Sequence, residues 1–299
     1  MVIKESFGDR VFNAINFVIL TLILLVVLYP LIYIVSASFS NPDAVTSGKM
    51  WLIPIGFTLD GYKQVFSNSA ILTGFGNTLF YVGVGTLLNL ACTMPAAYAL
   101  SKKRLAGRNF FMFLITFTMF FSGGLIPSYM LMKGLGLVNT RWVMIFTGLV
   151  GAYNLIISRT YFASTMPQEL EEAAYIDGCS TTRSFLSIAL PLAKPIIAVI
   201  ALYYAISRWN GYFTAMVYIT DKSKYPLSLV LQQLLRQSVK TEQLVNLGII
   251  DAADYIKAQK MVTLLRYAMI VVSTTPLIIL YLFVQKYFVK GIMIGSIKG

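Results

Sequence analysis

Long runs of apolar residues, separated by short polar stretches, dominate this chain. A membrane-spanning helix needs about 20 mostly apolar residues, and six runs reach that length. They lie at 11–36, 77–100, 110–132, 142–162, 195–219 and 264–288. The first is too long for the roughly 7–15-residue core of a signal peptide, so we interpret it as an uncleaved helix. Because the runs are continuous, they do not fit the alternating strands of a membrane barrel. The pattern predicts an all-α polytopic membrane protein with six transmembrane helices.

The composition agrees with a membrane protein and excludes several other classes. Of the 299 residues, 57% are hydrophobic and 12% are charged, against about 45–50% and about 25% in soluble domains. So few charges cannot cover a soluble surface, which excludes an ordinary soluble enzyme, a disordered chain and a coiled coil. The chain has no histidine and two cysteines, Cys92 and Cys179. A disulfide framework, His-dependent nucleophilic catalysis and His or thiolate metal sites are therefore excluded.

The basic residues predict the orientation in the membrane. The net charge is +12, and Lys and Arg concentrate in short cytoplasmic loops. The loop 101–108 carries four of them and no acidic residue: Lys102, Lys103, Arg104 and Arg108. With this loop in the cytoplasm, an even number of spans places both termini there too, and 37–76, 133–141 and 220–263 face outward. No basic run is interleaved with aromatic residues, so no nucleic acid is expected as a partner.

The segment between the fourth and fifth runs has the pattern of two short helices joined by a bend. Pro167 suits the first turn of a helix, and the acidic residues that follow complement its positive end. These residues are Glu169, Glu171 and Glu172. Gly178 can end the first helix, and Ser180 or Thr181 can cap the second. The segment is thus predicted to stand exposed at the membrane surface.

The residues alone leave two interpretations of this segment open. Leu170, Phe185 and Leu186 could anchor the helices in the groove of a partner protein. The helices could instead rest on lipid headgroups. The acidic start is unfavourable against an anionic leaflet, which favours a protein partner.

The same segment carries a family signature. Glu172-Ala173-Ala174, Gly178, Ile188 and Leu190-Pro191 fill every fixed position of the pattern E-A-A-x3-G-x9-I-x-L-P. It resembles the EAA signature of bacterial ABC importer permeases. The flanking Leu170-Glu171 and Asp177 are similar to the maltose-type carbohydrate branch, in its MalG-like subunit. The Trp209-Asn210 pair and the tail 290–299 extend the resemblance over most of the chain, toward the LplC-type polysaccharide subgroup.

This resemblance implies a type I ABC importer transmembrane fold in the bacterial cytoplasmic (inner) membrane. The implied parts are an N-terminal helix and outer loop (1–72), a transmembrane core (73–288) with the coupling segment 167–190, and a cytoplasmic tail (289–299). In such permeases the tail can reach between the ATPase subunits, and the outer loop 220–263 contacts the binding protein. The alternatives are a disordered end and a simple cap on the helix ends.

The resemblance also implies partners and residue roles. The coupling segment would dock into an ATPase subunit, with Glu172 making a polar contact, Ala173 and Ala174 packing, and Gly178 setting the bend. Leu170, Asp177 and Phe185 would belong to the same contact. The implied partners are a second homologous permease, two ATPase subunits, an extracytoplasmic solute-binding protein, an oligosaccharide and membrane lipid.

The chain is not expected to hydrolyse ATP itself. A phosphate-binding loop needs G-x-x-x-x-G-K-[ST], and the only Gly-Lys step, Gly48-Lys49, lacks that context. No cofactor is expected in this chain, because ATP and Mg would be bound by the partner ATPases.

A candidate substrate path lies late in the fifth run. Tyr204, Arg208 and Tyr212 recur every four residues and would share one helical face, next to Trp209 and Asn210. A charge in the membrane core costs about 2.5–3.5 kcal/mol, so Arg208 needs a reason to be there. It could lie in the lumen and favour an anionic sugar. It could also snorkel or pair with a partner subunit, with Trp209 and Tyr212 as interfacial aromatic residues.

Polar residues on the second run are weaker candidates for the substrate path. Asn77 and Asn89 are typical of hydrogen bonds between membrane helices.

Other function classes find less support in the sequence. An ion-coupled secondary transporter commonly has buried coupling groups and internal repeats, but none of the six runs contains an acidic residue. A membrane-embedded enzyme would need catalytic groups that the runs lack. An ABC importer for a non-sugar solute remains an alternative.

Overall fold

The computed structural model describes residues 6–166, 168–246 and 252–296, which are mostly helical and contain no β-strand. The helices are α1 (Phe7–Ser38), α2 (Pro42–Thr46), α3 (Asp60–Ser67), α4 (Ser69–Ser101), α5 (Arg108–Phe120), α6 (Leu125–Gly134), α7 (Arg141–Phe146), α8 (Ala152–Thr165), α9 (Gln168–Ile176), α10 (Thr181–Ser184), α11 (Leu190–Leu192), α12 (Lys194–Trp209), α13 (Tyr212–Tyr218), α14 (Leu227–Asn246) and α15 (Ala252–Ser296). A π-helical stretch (Phe185–Ala189) follows α10, and a 3-10 turn (Lys222–Lys224) precedes α14. The predicted all-α fold is confirmed.

Three helices in the described part are long and apolar enough to cross a membrane: α1, α4 and Val262–Tyr287 within α15. Two further candidates are bent pairs. Helix α5 continues into α6 through a bend of 116°, and Thr181–Leu192 continues into α12 through a bend of 81°. Length and hydropathy therefore support three to five spans, and the number six stays a prediction.

Three of the predicted spans are not continuous helices. The third is interrupted between Phe120 and Leu125. The fourth is interrupted between Phe146 and Ala152, and the fifth between Trp209 and Tyr212. The prediction of unbroken helices in these runs is wrong, because each break contains glycine, which costs about 1 kcal/mol in a helix interior. Such breaks expose backbone polar groups that need partners inside a membrane.

The chain divides into two compact units. The first comprises residues 1–68 and 233–274. Its small core holds Ala37, Ala44, Val45 and Met50, with Tyr33 and Tyr267 packed against it. An ion pair of 2.7 Å joins Lys260 Nζ to Asp43 Oδ1.

The second unit comprises residues 69–232 and 275–299 and is organised around α4. Helices α7, α8 and α12 lie against α4. The buried face of α4 is partly polar, with Asn77, Thr78, Asn89 and Thr93 all inaccessible to solvent or nearly so. Buried polar side chains need hydrogen-bond partners, and irregular backbone has N–H and C=O groups that are free to provide them. This face of α4 therefore indicates where the neighbouring backbone is not helical.

The predicted domain boundaries at 72 and 288 stay a prediction. Within 220–263 lie α14 and the start of α15. Helix α15 continues through the first part of the predicted tail to Ser296. Pro167 and residues 297–299 lie outside the described residues.

Candidate functional site

The predicted coupling segment folds as two short helices around a glycine turn. Helix α9 ends at Ile176, and Gly178 has a φ of +70°. The N–H of Cys179 donates to the carbonyl of Ala174 at 2.9 Å, and the N–H of Gly178 donates to that of Tyr175 at 3.0 Å. These two hydrogen bonds require a residue in the left-handed backbone conformation, which glycine adopts without strain. The predicted bend is confirmed.

The second helix of the segment is capped as the sequence predicts. The hydroxyl of Ser180 accepts a hydrogen bond of 3.3 Å from the N–H of Arg183. A serine at this position stabilises a helix start by about 1 kcal/mol. The direction of α10 relative to the turn is therefore set locally.

The apolar side chains that the segment exposes differ from those expected. Tyr175 and Ile176 are 76% and 82% exposed at the end of α9. The ring of Phe185 instead packs against Tyr98, with centroids 5.2 Å apart, at the edge of a buried cluster. Phe185 thus supports the segment from inside. Leu170 and Leu186 are exposed, as an anchor would need to be.

The remaining predicted coupling residues lie on the same short helix or its turn. Glu172, Ala173 and Asp177 are exposed, whereas Ala174 is buried. The N–H of Asp177 donates to the carbonyl of Ala173 at 3.0 Å. The exposed surface of α9 is therefore acidic, with an apolar end.

Arg208 is the centre of the second candidate site, and all five of its N–H donors are used. Its Nε and Nη2 donate to Oδ1 of Asn89 at 3.2 and 3.1 Å. Nη2 also donates to the carbonyl of Ile145 at 2.7 Å. Nη1 donates to the carbonyls of Met144 and Thr147. The guanidinium therefore closes the C-terminal end of α7, where helix carbonyls lack partners.

Asn89 completes this closure from α4. Its Nδ2 donates to the carbonyls of Gly148 and Leu149, so the Asn89 side chain bonds both the guanidinium and the unwound backbone. Gly85, one turn away on α4, makes the arrangement possible. A Cβ at Gly85 would lie 3.0 Å from Nε of Arg208.

The structure brings only part of the predicted substrate path together. Tyr204 is buried; its hydroxyl accepts from the N–H of Gly151 at 3.0 Å and lies 2.8 Å from Oγ1 of Thr93. The prediction that Tyr212 shares a helical face with Tyr204 and Arg208 is wrong, because α12 ends at Trp209.

The other two predicted path residues lie at that end of α12. Trp209 is buried, with its ring centroid 6.1 Å from that of Phe75 in an edge-on arrangement. Asn210 is exposed and forms the C-cap of α12. Trp209 therefore belongs to the packed interior of this unit.

A cavity of about 280 Å³ opens beside the unwound backbone. Its wall contains Met144, Thr147, Gly148, Gly151, Asn154, Tyr204, Ser207, Arg208, Gly211 and Thr214. The Oγ1 atom of Thr147 is buried and has no hydrogen-bond partner among the described residues. Hydroxyl and amide groups that converge on a concave space are typical of sites for small polar ligands.

Sequence reasoning missed Thr147, Asn154, Ser207 and Thr214 as candidates. A signal was available, because Gly148 and Gly151 interrupt an otherwise apolar run. Irregular backbone within a membrane helix is tolerated where it is buried in protein or lines a cavity. Within the described ranges, no group of three or more Cys, Asp and Glu residues could hold a metal ion.

The short segment after α13 is fixed to the rest of its unit by a polar network. Oδ1 of Asn139 accepts from the N–H groups of Thr220 and Asp221 at 3.1 and 2.9 Å. Nδ2 of Asn77 donates to the carbonyls of Ser223 and Tyr225 at 2.8 and 3.0 Å. Asn77 and Asn89 thus make the hydrogen bonds between elements that the sequence indicates for them.

Asp221 gives this network a pH dependence. Hydrogen bonds from the Ser223 hydroxyl (2.7 Å) and N–H, with the ammonium of Lys224 at 3.1 Å, lower the pKa of Asp221 to about 2. In an unfolded chain the aspartate pKa is about 3.9. The stabilisation by the charged carboxylate is therefore fully present above that value and is lost as the pH falls toward 2.

We expect Asp221→Asn to lower the thermal unfolding midpoint by the same amount at every pH from 8 to 5. Below about pH 4 the difference in unfolding midpoint between wild type and variant should narrow, because the Asp221 carboxylate becomes protonated and its stabilising effect is lost. Thermal unfolding of the purified chain across this pH series measures the gap. Asp177→Asn, outside the network, is the control; a gap independent of pH down to the lowest values would contradict the assignment.

The amino-acid sequence matches a known protein family. The family described as "Binding-protein-dependent transport system inner membrane component" matches residues 90–294, which is more than half of the chain. The chain belongs to this family. The permease is thus an inner membrane component of a transport system and not itself an enzyme.

Relatives of the permease match it over nearly their whole length. Protein LplC of Bacillus subtilis is 40% identical over 292 residues, covering 98% of the permease and 96% of LplC. The polygalacturonan/rhamnogalacturonan transport system permease protein YtcP of the same organism is 37% identical over 291 residues, covering 97% and 99%.

A solved structure has the same fold. It is described as the crystal structure of a bacterial ABC transporter involved in the import of the acidic polysaccharide alginate. Its matching chain superposes on the permease with a TM-score of 0.83 at 38% identity, covering 95% of the permease and 99% of that chain. The permease therefore has the type I ABC importer transmembrane fold.

Proposed function

We propose that this permease is one of two transmembrane subunits of an ATP-driven importer for saccharides delivered by an extracytoplasmic binding protein. The second subunit is a homologous permease, and two separate ATPase subunits supply the energy. The printed functions of YtcP and of the alginate transporter support a saccharide cargo. The basic loop 101–108 and both termini lie in the cytoplasm in this proposal.

The observation that carries the proposal is the exposed end of α9. Tyr175 and Ile176 project beside a turn whose geometry is fixed by Gly178. Large exposed apolar side chains on a short helix are typical of docking surfaces. Closure of the ATPase subunits on ATP would move this helix, and the movement would reach α12 through the chain that follows α10.

The cavity beside Arg208 supplies the saccharide path. Its hydroxyl and amide groups can bond sugar hydroxyls. No carboxylate of the described residues lies within ion-pair distance of Arg208, so its positive charge is satisfied only by dipoles. An uncompensated charge in a low-dielectric wall attracts anions. The path is therefore suited to saccharides that carry uronate groups, although Arg208 has no free donor for them.

The whole importer, reconstituted in proteoliposomes, tests the function. We expect ATP hydrolysis to rise only when binding protein and a saccharide are both present, and more with oligogalacturonates or oligoalginates than with neutral oligosaccharides. Uptake without any ATPase subunit would instead favour the ion-coupled alternative. ATPase stimulation only by a non-sugar solute would favour another ABC substrate class.

A carboxylate placed beside Arg208 should remove the preference for uronates. Ser207 lines the cavity and is exposed, so Ser207→Asp leaves the packing intact. Like charges brought together cost several kcal/mol, so we expect uronate-stimulated ATPase activity to fall by about tenfold or more. Activity with neutral saccharides should change much less. Ser207→Asn, of the same size but neutral, is the matched control; equal losses with both saccharide classes would exclude charge selection here.

A further inference from the structure

A second and larger cavity, of about 740 Å³, lies between the end of α4, the loop after it and the coupling segment. Its described lining residues are Tyr98, Ser101, Lys102, Lys103, Arg104, Phe162, Ala163, Ser164, Met166, Glu172, Ala174, Tyr175, Ile176, Cys179, Thr181 and Ser184. One wall is thus the basic loop, and the opposite wall is α9 with its turn. The saccharide path does not use this space.

The charge of the cavity wall is mainly positive. Of its described lining residues three are basic, and Glu172 is the one acid. Nζ of Lys102 lies 3.9 Å from the centroid of the Tyr98 ring. Lys103 and Arg104 are exposed, and no carboxylate of the described residues pairs with them. Hydroxyl groups of Ser101, Ser164, Thr181 and Ser184 stand among these charges.

A further pair of cations meets at Leu100, the neighbour of Ser101 in this wall. Nε of Arg108 and Nε of Arg159 both donate to the carbonyl of Leu100, at 3.0 and 3.3 Å. Leu100 precedes Ser101, which lines the cavity. Two guanidinium groups on one carbonyl oxygen repel each other, and no acid of the described chain compensates them. An anion in the adjacent space would relieve this repulsion.

We propose that this cavity binds the phosphate headgroup of an anionic phospholipid. The assignment rests on the proposed cytoplasmic placement of the loop 101–108, which puts the cavity at the headgroup level of the anionic leaflet. Helix α5, which begins at Arg108, has no buried residue and exposes Phe110, Phe113 and Phe117. These rings provide a surface for acyl chains beside the headgroup, which favours a lipid over free phosphate.

A bound headgroup would connect the transmembrane core to the coupling segment. The basic loop follows α4, and Tyr175 and Ile176 belong to the proposed ATPase contact. A phosphate held between these walls fixes the distance from α4 to α9. Anionic lipid would therefore stabilise the coupling segment in its docking position.

Cys179 is a built-in probe of this cavity. In a Cys92→Ser background, the importer is reconstituted in nanodiscs of phosphatidylcholine alone or with phosphatidylglycerol, and the rate of labelling by N-ethylmaleimide is measured. We expect phosphatidylglycerol to slow labelling of Cys179 by about threefold or more. The thiol introduced by Ser187→Cys in a background lacking both native cysteines lies on the same segment but outside the cavity lining. Its labelling should not change.

Two double variants test the source of the protection. Each basic group near an anionic surface contributes to lipid affinity, so Lys103→Ala with Arg104→Ala should weaken it by about 30-fold and abolish the protection. Lys49→Ala with Lys222→Ala removes two exposed lysines elsewhere and should preserve it. Phosphatidylglycerol retained after detergent exchange, counted by mass spectrometry, should fall in the first variant alone.

Each other outcome overturns the proposal. Equal slowing at both thiol positions would reveal a general surface effect. Protection by inorganic phosphate in phosphatidylcholine nanodiscs would assign the cavity to free phosphate. Unchanged labelling together with unchanged lipid retention would leave no anion site. The assay contains no ATP, binding protein or saccharide and measures only thiol access and lipid retention, so a failure of lipid binding is distinguished from a failure of transport.

Discussion

Arg208→Met should prevent the second unit from reaching its native structure. The variant loses five N–H donors and leaves the carbonyls of Met144, Ile145 and Thr147, with Oδ1 of Asn89, without partners inside the membrane. Each buried acceptor left without a partner costs about 1–3 kcal/mol, and the four losses together are a large share of a protein's total stability. We expect a strong fall in the yield of monodisperse protein and in the thermal unfolding midpoint of what remains.

Two further variants distinguish the hydrogen-bonding role of Arg208 from the effect of its positive charge. Arg208→Lys keeps the charge but cannot reproduce the planar set of donors, so its loss should be intermediate. Arg10→Met removes an exposed arginine at the start of α1 and should leave the unfolding midpoint unchanged. If Arg208→Met folded normally and lost only uptake, Arg208 would be a substrate residue and not the closure of the α7 end.

Ile176→Asp should disconnect the permease from its ATPase subunits without unfolding it. Ile176 is 82% exposed, so the free energy of unfolding should change by no more than about 0.5 kcal/mol. A charge at the centre of an apolar contact removes a docking anchor, and such anchors contribute about 2–4 kcal/mol. The affinity for the ATPase subunit should therefore fall by roughly 30- to 1000-fold, measured by co-purification and by binding to the immobilised ATPase.

Ile53→Asp is the matched control, because Ile53 is 77% exposed on the loop after α2, which the orientation places outside. It should leave binding of the ATPase unchanged. Retained ATPase affinity in Ile176→Asp would place the docking surface elsewhere on the coupling segment.

The coupling segment could be predicted from the sequence because its signals are local. The acids at the start of α9, Gly178 at its end and Ser180 before α10 each act on the adjacent backbone. The identity of the exposed apolar side chains could not be predicted in the same way. Phe185 turns inward because Tyr98, 87 positions earlier in the chain, lies beneath it.

The role of Arg208 shows a different limit. Its position in an apolar run indicated that it must have partners. Besides Asn89, those partners are backbone carbonyls that α7 leaves unbonded because the fourth run breaks. Hydropathy averaged over a run does not register such a break. The loss of Tyr212 from the predicted face has the same origin, since the four-residue period stops at the break after Trp209.

The break between α7 and α8 also constrains how the protein is made. Its carbonyl groups are satisfied by Asn89, synthesised earlier, and by Arg208, synthesised about 60 residues later. In the predicted topology, the fourth run enters the bilayer while Arg208 is still inside or near the ribosome, so the carbonyls of Met144, Ile145 and Thr147 have no protein partner at that stage. Lipid cannot solvate them. Biogenesis must therefore hold this run in the hydrated environment of the insertion machinery until α12 arrives, so the late helix governs when the earlier one leaves.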